Sequence, residues 1–242
     1  MAKKHGSIKQ KGLSVSKVRF MPRKSRVWVL SSKPGTHSKA LSIPLGFLLT
    51  GLLEVAKNSR EAGFLLNNGK VLVDGIERKS RNFSIGLFDL VELKDLKKQY
   101  RIVLDCNGRL VPAEIKDTGK QFKLCRISRK KTVKGAKILL STLDGRNFSE
   151  KQTSLKPGDS IKVGIPEQKI IEELPLQEGS IVLLLSGKHV GKTAKVLEIT
   201  PGSLRKDKLL TLEDERKKFQ TVEKSVFVIG KQKPEIELFK EE

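Results

Sequence analysis

Acidic residues are missing from the first 53 positions of this 242-residue chain; the first is Glu54. Eleven Lys and Arg fill the same stretch, which therefore carries half of the net charge of +22. Like charges alone cannot neutralise one another, so a self-contained fold of paired charges is excluded there. The segment needs a polyanion, and nucleic acid is the one that fits.

Aromatics are scarce as well: ten Phe, one Trp and one Tyr, in a chain that is 37% hydrophobic. That composition argues against one large core and for several small sheets or barrels. Long hydrophobic runs are absent. A spanning helix needs about 20 apolar residues, and the stretch Ile43–Leu53 is shorter and is interrupted by Gly46 and Gly51. No small-residue cleavage site of a signal peptide follows it. A cytoplasmic protein with no membrane partner is expected.

Cysteine is limited to Cys106 and Cys125, in no CxxC pair, and His5, His37 and His189 are far apart. The usual zinc spacings are thereby excluded, no metal or cofactor is expected, and both thiols read as buried apolar groups. No GxSxG and no Ser/His/Asp order is present, so no catalytic residue is assigned. Asp144 and Asp159 fall in turn sequences, where Asp bonds its own backbone. The loop Gly187-Lys188-His189-Val190-Gly191-Lys192-Thr193 has three residues between its glycines. A phosphate-cradling P-loop needs four and must open a helix, whereas this loop joins two strand-like runs.

What is present begins with an extended basic arm over residues 1–42. Gly6, Gly12, Pro22, Pro34 and Gly35 break any helix in it. Its cations Lys3, Lys4, Lys9, Lys11, Arg19, Arg23, Lys24 and Arg26 are candidate RNA contacts. Trp28 has two readings, an anchor of the arm on the body or a platform for a base. The spacing of Leu45, Leu48, Leu49, Leu52, Leu53 and Ala56 predicts a helix with one buried face, capped by Ser42, with Pro44 in its first turn, and ending near Lys57. Asn58 and Glu61 stand at capping-box spacing and open a second helix that Gly69 stops. Asp74-Gly75 then turns a hairpin.

Lys57, Asn58, Ser59 and Arg60 would seat a phosphate at the start of the second helix. Lys70, Arg78, Lys79 and Arg81 flank the hairpin. From residue 99 short strand-like runs alternate with Asn107-Gly108, Thr118-Gly119, Asp144-Gly145 and Pro157-Gly158-Asp159, an all-β pattern. Two further strands flank the loop whose tip offers Lys188, His189 and Lys192 to RNA phosphates.

The order Ser42-Ile43-Pro44-Leu45, Ser59-Arg60-Glu61-Ala62, Gly69-Lys70-Val71-Leu72-Val73-Asp74-Gly75 and Ile85-Gly86-Leu87-Phe88-Asp89-Leu90-Val91 resembles the S-four RNA-binding domain. It is most similar to the form in the archaeal and eukaryotic small-subunit ribosomal protein family S-four-e. Pro34-Gly35-Thr36-His37 is similar to that family's junction between arm and domain. Phe122-Lys123-Leu124-Cys125, Leu143-Asp144-Gly145-Arg146-Asn147 and Pro157-Gly158-Asp159-Ser160 resemble its central β domain. Residues 179–199 resemble a KOW element. The chain departs from the family pattern at three places: Thr50-Gly51 replaces an Arg-Asp pair, Gly63 a longer residue and Ala194 a Gly.

The resemblance implies an α+β chain with the basic arm over 1–42 and a helix–helix–hairpin S-four-like RNA-binding domain over 43–98. A central β domain over 99–174 and an SH3-like KOW barrel over 175–242 would follow. It implies a non-enzymatic constituent of the small ribosomal subunit. Its partners would be ribosomal RNA and neighbouring ribosomal proteins, with no small-molecule substrate and no homo-oligomer. Two other readings stand beside it, an adaptor module of an RNA-modifying enzyme and a free RNA chaperone or translational regulator.

Overall fold

A computed structural model describes residues 9–115, 122–133, 135, 137–151, 153–203, 206–214 and 217–236. Lys3 and Lys4 therefore lie outside the described residues. The chain divides into two compact units, residues 1–103 with 109–119, and residues 104–108 with 120–242. Helices are few and short, and every sheet is built from antiparallel neighbours wherever its register is defined.

In the first unit the predicted helix over 45–57 is much shorter. Leu45–Phe47 is α-helical, Leu48–Leu52 is a π-helical turn, and Glu54 already has a positive φ of 51°. Ser42 does not cap it. Its hydroxyl donates to Ser32 Oγ at 3.2 Å, and Ile43–Pro44 runs extended, paired with Ser84–Ile85. The residues that depart from the family pattern shape this turn. The Thr50 hydroxyl donates back to the Gly46 carbonyl at 2.9 Å, a bond that competes with the helix ladder. A side chain on Gly51 would sit 2.7 Å from the Phe47 ring. Leu45, Leu48 and Leu49 are nonetheless fully buried, so the apolar periodicity marked the core even where the helix was short.

The second helix, Ser59–Asn67, follows its sequence signals. Asn58 Oδ1 accepts from the Arg60 and Glu61 amides at 3.0 and 2.9 Å, and Glu61 Oε2 accepts from the Lys57 amide at 2.8 Å. Gly69, at φ 66°, ends it. Asp74 and Gly75 both have positive φ, 51° and 76°, the twist that a two-residue hairpin needs. The resulting sheet has the order Ile76–Glu77, Val71–Val73, Leu90–Leu93, Lys98–Leu104, Leu110–Glu114. Residues 99–104 and 110–114, read from the sequence as part of the central β domain, instead belong to the sheet of the helix–hairpin module.

The second unit holds two five-stranded sheets. One has the order Asn147–Glu150, Lys137–Thr142, Phe122–Val133, Ser160–Gly164, Ile170–Leu174. The other runs Lys217–Val222, Leu209–Asp214, Thr193–Thr200, Ile181–Leu184, Val226–Gly230. Arg126, itself buried, donates to the carbonyls of Lys224 and Glu223 at 3.1 and 3.0 Å and so ties a strand of the first sheet to the 3-10 turn Glu223–Ser225 of the second. Cys125, Ile127, Leu140, Leu155, Ile161 and Val163 form the core of the first of these sheets. Beside it Asp144 does more than close a turn. It accepts the ammonium of buried Lys123 at 2.9 Å, Arg146 Nε at 3.1 Å and the Thr142 hydroxyl. Burial alone would raise the Asp144 carboxyl, but Lys123, Thr142 and Arg146 outweigh it and hold the carboxyl below its usual value. Cys125 is buried as expected, with its thiol pushed well up by burial and by Asp144, whereas Cys106 is exposed.

Two outcomes test this architecture. A Cβ on Gly63 would meet only the Arg81 Cδ, at 3.8 Å, whereas one on Gly46 would lie 2.9 Å from Leu30 and 3.2 Å from the Arg81 carbonyl. Gly63→Ala should therefore stabilise the chain by about 0.5–1 kcal/mol and Gly46→Ala destabilise it by about 1–3 kcal/mol, read from urea midpoints. For Asp144, a depressed folded pKa means its contribution is full above the unfolded value of about 3.9 and fades as pH falls through the folded one. Asp144→Asn should cost about 3–5 kcal/mol near neutral pH by stranding Lys123. That difference should shrink on acidification toward about pH 3, as denaturation at the two pH values would record.

Candidate nucleic-acid interface

The expected contacts fall into three groups once the side chains are placed. Arg19 is the clearest reassignment. It is 3% exposed and therefore cannot face RNA as read from the sequence. Its guanidinium donates to the carbonyls of Ser42, Leu30 and Lys39 at 2.7, 3.3 and 3.4 Å, to Gln10 Oε1 at 3.1 Å and to Ser32 Oγ at 2.6 Å. The residues of the arm from 9 onward are folded against the module. Ser31 and Lys33 carbonyls accept from Asn82 and Ser84 side chains at 2.8 and 2.6 Å. His37 Nε2 meets Asp89 Oδ2 at 2.9 Å, its ring lying over Gly86 where a Cβ would not fit. Lys9, Lys11, Arg23, Lys24 and Arg26 remain on the surface.

At the start of helix Ser59–Asn67, Lys57, Asn58, Ser59 and Arg60 are all exposed. Arg81 reaches this point, donating to the Ser59 carbonyl at 3.2 Å and to its hydroxyl. The hairpin exit and the helix start, far apart in sequence, thus bring Arg81 to the turn that carries Lys57 and Arg60, while the Arg60 and Glu61 amides expected to seat a phosphate are already taken by Asn58. Lys79 is exposed, but two other predicted cations are engaged elsewhere. Arg78 lies half-buried with its guanidinium 4.5 Å from the Phe83 ring, and Lys70 pairs with Asp95 at 2.6 Å. Exposed pairs of the latter kind hold weakly and release their cation to a better partner.

In the second unit the loop after Ile181–Leu184 leads into strand Thr193–Thr200, as the P-loop exclusion required. Lys188 is exposed at its tip. His189 stacks on Phe219, ring centroids 4.3 Å apart, and Lys192 faces Asp214 at 3.8 Å. A phosphate-binding role for those two would compete with these contacts.

One basic surface escaped the sequence reading. Residues 118–143 hold eight Lys and Arg and no acid, a second acid-free run that is the signal for it. Lys123 and Arg126 of this run are buried donors, and Lys120 and Lys134 lie outside the described residues. The register Arg129↔Ser141, Lys131↔Leu139 and Val133↔Lys137 puts Arg129, Lys131 and Lys137 on one face. Asn147 and Ser149 of the next strand share it, while Glu150 pairs with Ile138 on the opposite face. Lys130 also points away, its ammonium donating to the Thr153 and Leu155 carbonyls at 2.9 Å each. Among the described residues of these three strands, that outer face carries cations and no carboxylate.

Among the described residues no group of three or more His, Cys, Asp or Glu could hold a metal ion. No helix among them is long and apolar enough to cross a membrane.

Comparison with known proteins places this arrangement. Residues 96–170 match the model of Ribosomal family S4e. The chain is 39% identical over 216 residues to small ribosomal subunit protein eS4 of Methanosphaera stadtmanae, covering 89% of each chain. It is 38% identical over 234 residues to the eS4 protein of Archaeoglobus fulgidus, covering 96% of this chain and 98% of that one. The crystal structure of the 30S ribosomal protein S4e from Thermoplasma acidophilum superposes with a TM-score of 0.68 at 29% identity, over 78% of this chain and 95% of that one.

Arg19→Met should lower stability by about 2–4 kcal/mol, because several buried acceptors lose their donor together. Hydrogen exchange should quicken at the Gly12 and Lys33 amides, which bond Val27 and Asn82 across the packed arm. Lys24→Met, at an exposed site, should leave both amides protected.

Proposed function

The chain belongs to the S4e family of ribosomal proteins, and we propose that it works as a structural constituent of the small ribosomal subunit, holding ribosomal RNA by its phosphates. The observation that carries this reading is the near-full-length likeness to proteins named small ribosomal subunit protein eS4. The family is one of structural ribosomal proteins, not of enzymes. Ribosomal RNA and neighbouring ribosomal proteins are then the partners, and the ribosome of the cytoplasm is the location.

The finer division belongs to the same proposal. Residues 1–42 act as a basic arm, and 43–98 as an S-four-like RNA-binding domain that takes strands 98–104 and 110–114 into its sheet. The rest of residues 99–174 contributes the central β domain, and 175–242 the KOW-type barrel.

The RNA contacts we assign are cations that stand exposed on the surface. In the first unit these are Lys57, Arg60 and Arg81 at the helix start, with Lys79 and the exposed arm cations. In the second they are Lys188 and the face of Arg129, Lys131 and Lys137. Each phosphate neutralised releases counterions, so affinity falls steeply with salt. Recognition by backbone and shape suits a chain with so few aromatics.

The test uses full-length protein and small-subunit RNA titrated over a range of salt. Lys57→Ala with Arg60→Ala should weaken binding, and the slope of log affinity against log salt should flatten by about two. Arg78→Ala, at a guanidinium engaged with Phe83, should flatten it less. An unchanged slope in the double variant would move the RNA face elsewhere. Failure of the protein to co-sediment with 30S-type particles at physiological salt would overturn the assignment as a whole.

A further inference from the structure

Trp28 is not needed as an anchor. Arg19 ties the arm down through its carbonyls, and Trp28 is 54% exposed. Its backbone lies in a two-stranded ribbon, Gln10–Lys11 with Trp28–Val29, in which Lys11 is directly opposite Trp28 and Gln10 opposite Val29. Alternation along the strand turns Gln10 inward, where it is buried and receives Arg19. Lys9 and Lys11 are therefore on the outer face with Trp28. Both ammoniums stand 5.9 Å from the centre of the indole. That is the outer limit of cation–π reach, about 6 Å, so both charges lie over the ring in weak contacts that a stacking ligand would displace.

The exposed indole thus has two ammoniums within reach. Alone, an exposed Trp is a patch any apolar surface could cover. Accompanied by Lys9 and Lys11, with Arg23, Lys24 and Arg26 exposed on the intervening loop and no acid before Glu54, it fits a ligand that is flat, apolar on its face and negatively charged at its edge. An unpaired nucleotide has that chemistry: a base to stack on the indole and phosphates on either side for the lysines.

We propose that Trp28 is a stacking platform for an unpaired RNA base, with Lys9 and Lys11 holding the flanking phosphates. This deepens the RNA-binding reading and rests on it. Phosphate contacts elsewhere read shape alone, whereas this point distinguishes a looped-out base from a paired one.

Trp28 is the only tryptophan of the chain, so its emission reports on this point alone. Full-length protein is titrated with oligoadenylate and with an abasic ribose-phosphate strand of equal length, and binding is followed separately by anisotropy of the labelled strand. Oligoadenylate should quench Trp28 as it binds, and the abasic strand should bind without quenching. Trp28→Leu should weaken oligoadenylate binding about tenfold, within the range of base–aromatic stacking, with an unchanged salt slope and unchanged abasic-strand affinity. Trp28→Phe should restore most of the loss.

Oligoadenylate that binds without quenching Trp28, or binds Trp28→Leu as tightly as the parent, overturns the stacking platform. It would leave the RNA-binding reading intact and the patch to a protein neighbour. Failure of both strands to bind at low salt overturns the two together.

Discussion

Arg19 carries the arm. An acid-free segment has no carboxylate of its own to turn a guanidinium inward, and this one uses neutral acceptors instead: three carbonyls, one amide oxygen and one hydroxyl. Burial lowers the pKa of Arg19, yet a guanidinium stays charged at any physiological pH. Its fork of donors therefore holds residues 10, 30, 32, 39 and 42 around one point. The other arm features follow from that fixation: the short ribbon, the inward Gln10 and the outward Trp28.

The cations of this chain divide by what answers their charge. Some, like Arg19, Arg126 and Lys123, are interior donors whose loss would leave carbonyls or a carboxylate stranded. Others, like Lys70 and Lys192, face a nearby carboxylate on the surface, where water screens the pair. Others again, among the described residues, are exposed, at the start of helix Ser59–Asn67, along the arm and on the outer face of the Arg129 strand. Only surface cations come within reach of a phosphate, so the net charge of +22 overstates how many are available for direct contact.

Legibility in the sequence tracked the range of the interaction. The Asn58 cap, the Gly69 stop and the Asp74-Gly75 turn each depend on a few neighbouring residues, and each stands where the spacing placed it. The first helix did not, because its periodicity reports burial. The bond from Thr50 to Gly46, the packing of Gly51 on Phe47 and the pairing of Ile43–Pro44 with Ser84–Ile85 decided its length. Arg129, Lys131 and Lys137 went unread for a related reason. Their acid-free run was visible, but which of its cations face outward depends on strand register.

By itself the sequence determined the family, the Asn58 cap, the Asp74-Gly75 turn and the excess of positive charge, since composition and motif order survive without coordinates. Tertiary structure alone decided which cations are interior donors, how Arg81 comes to the start of a helix some twenty residues away, and that Trp28 faces solvent. A charge is a property of a residue, but its availability to a partner is a property of what the fold has already placed against it.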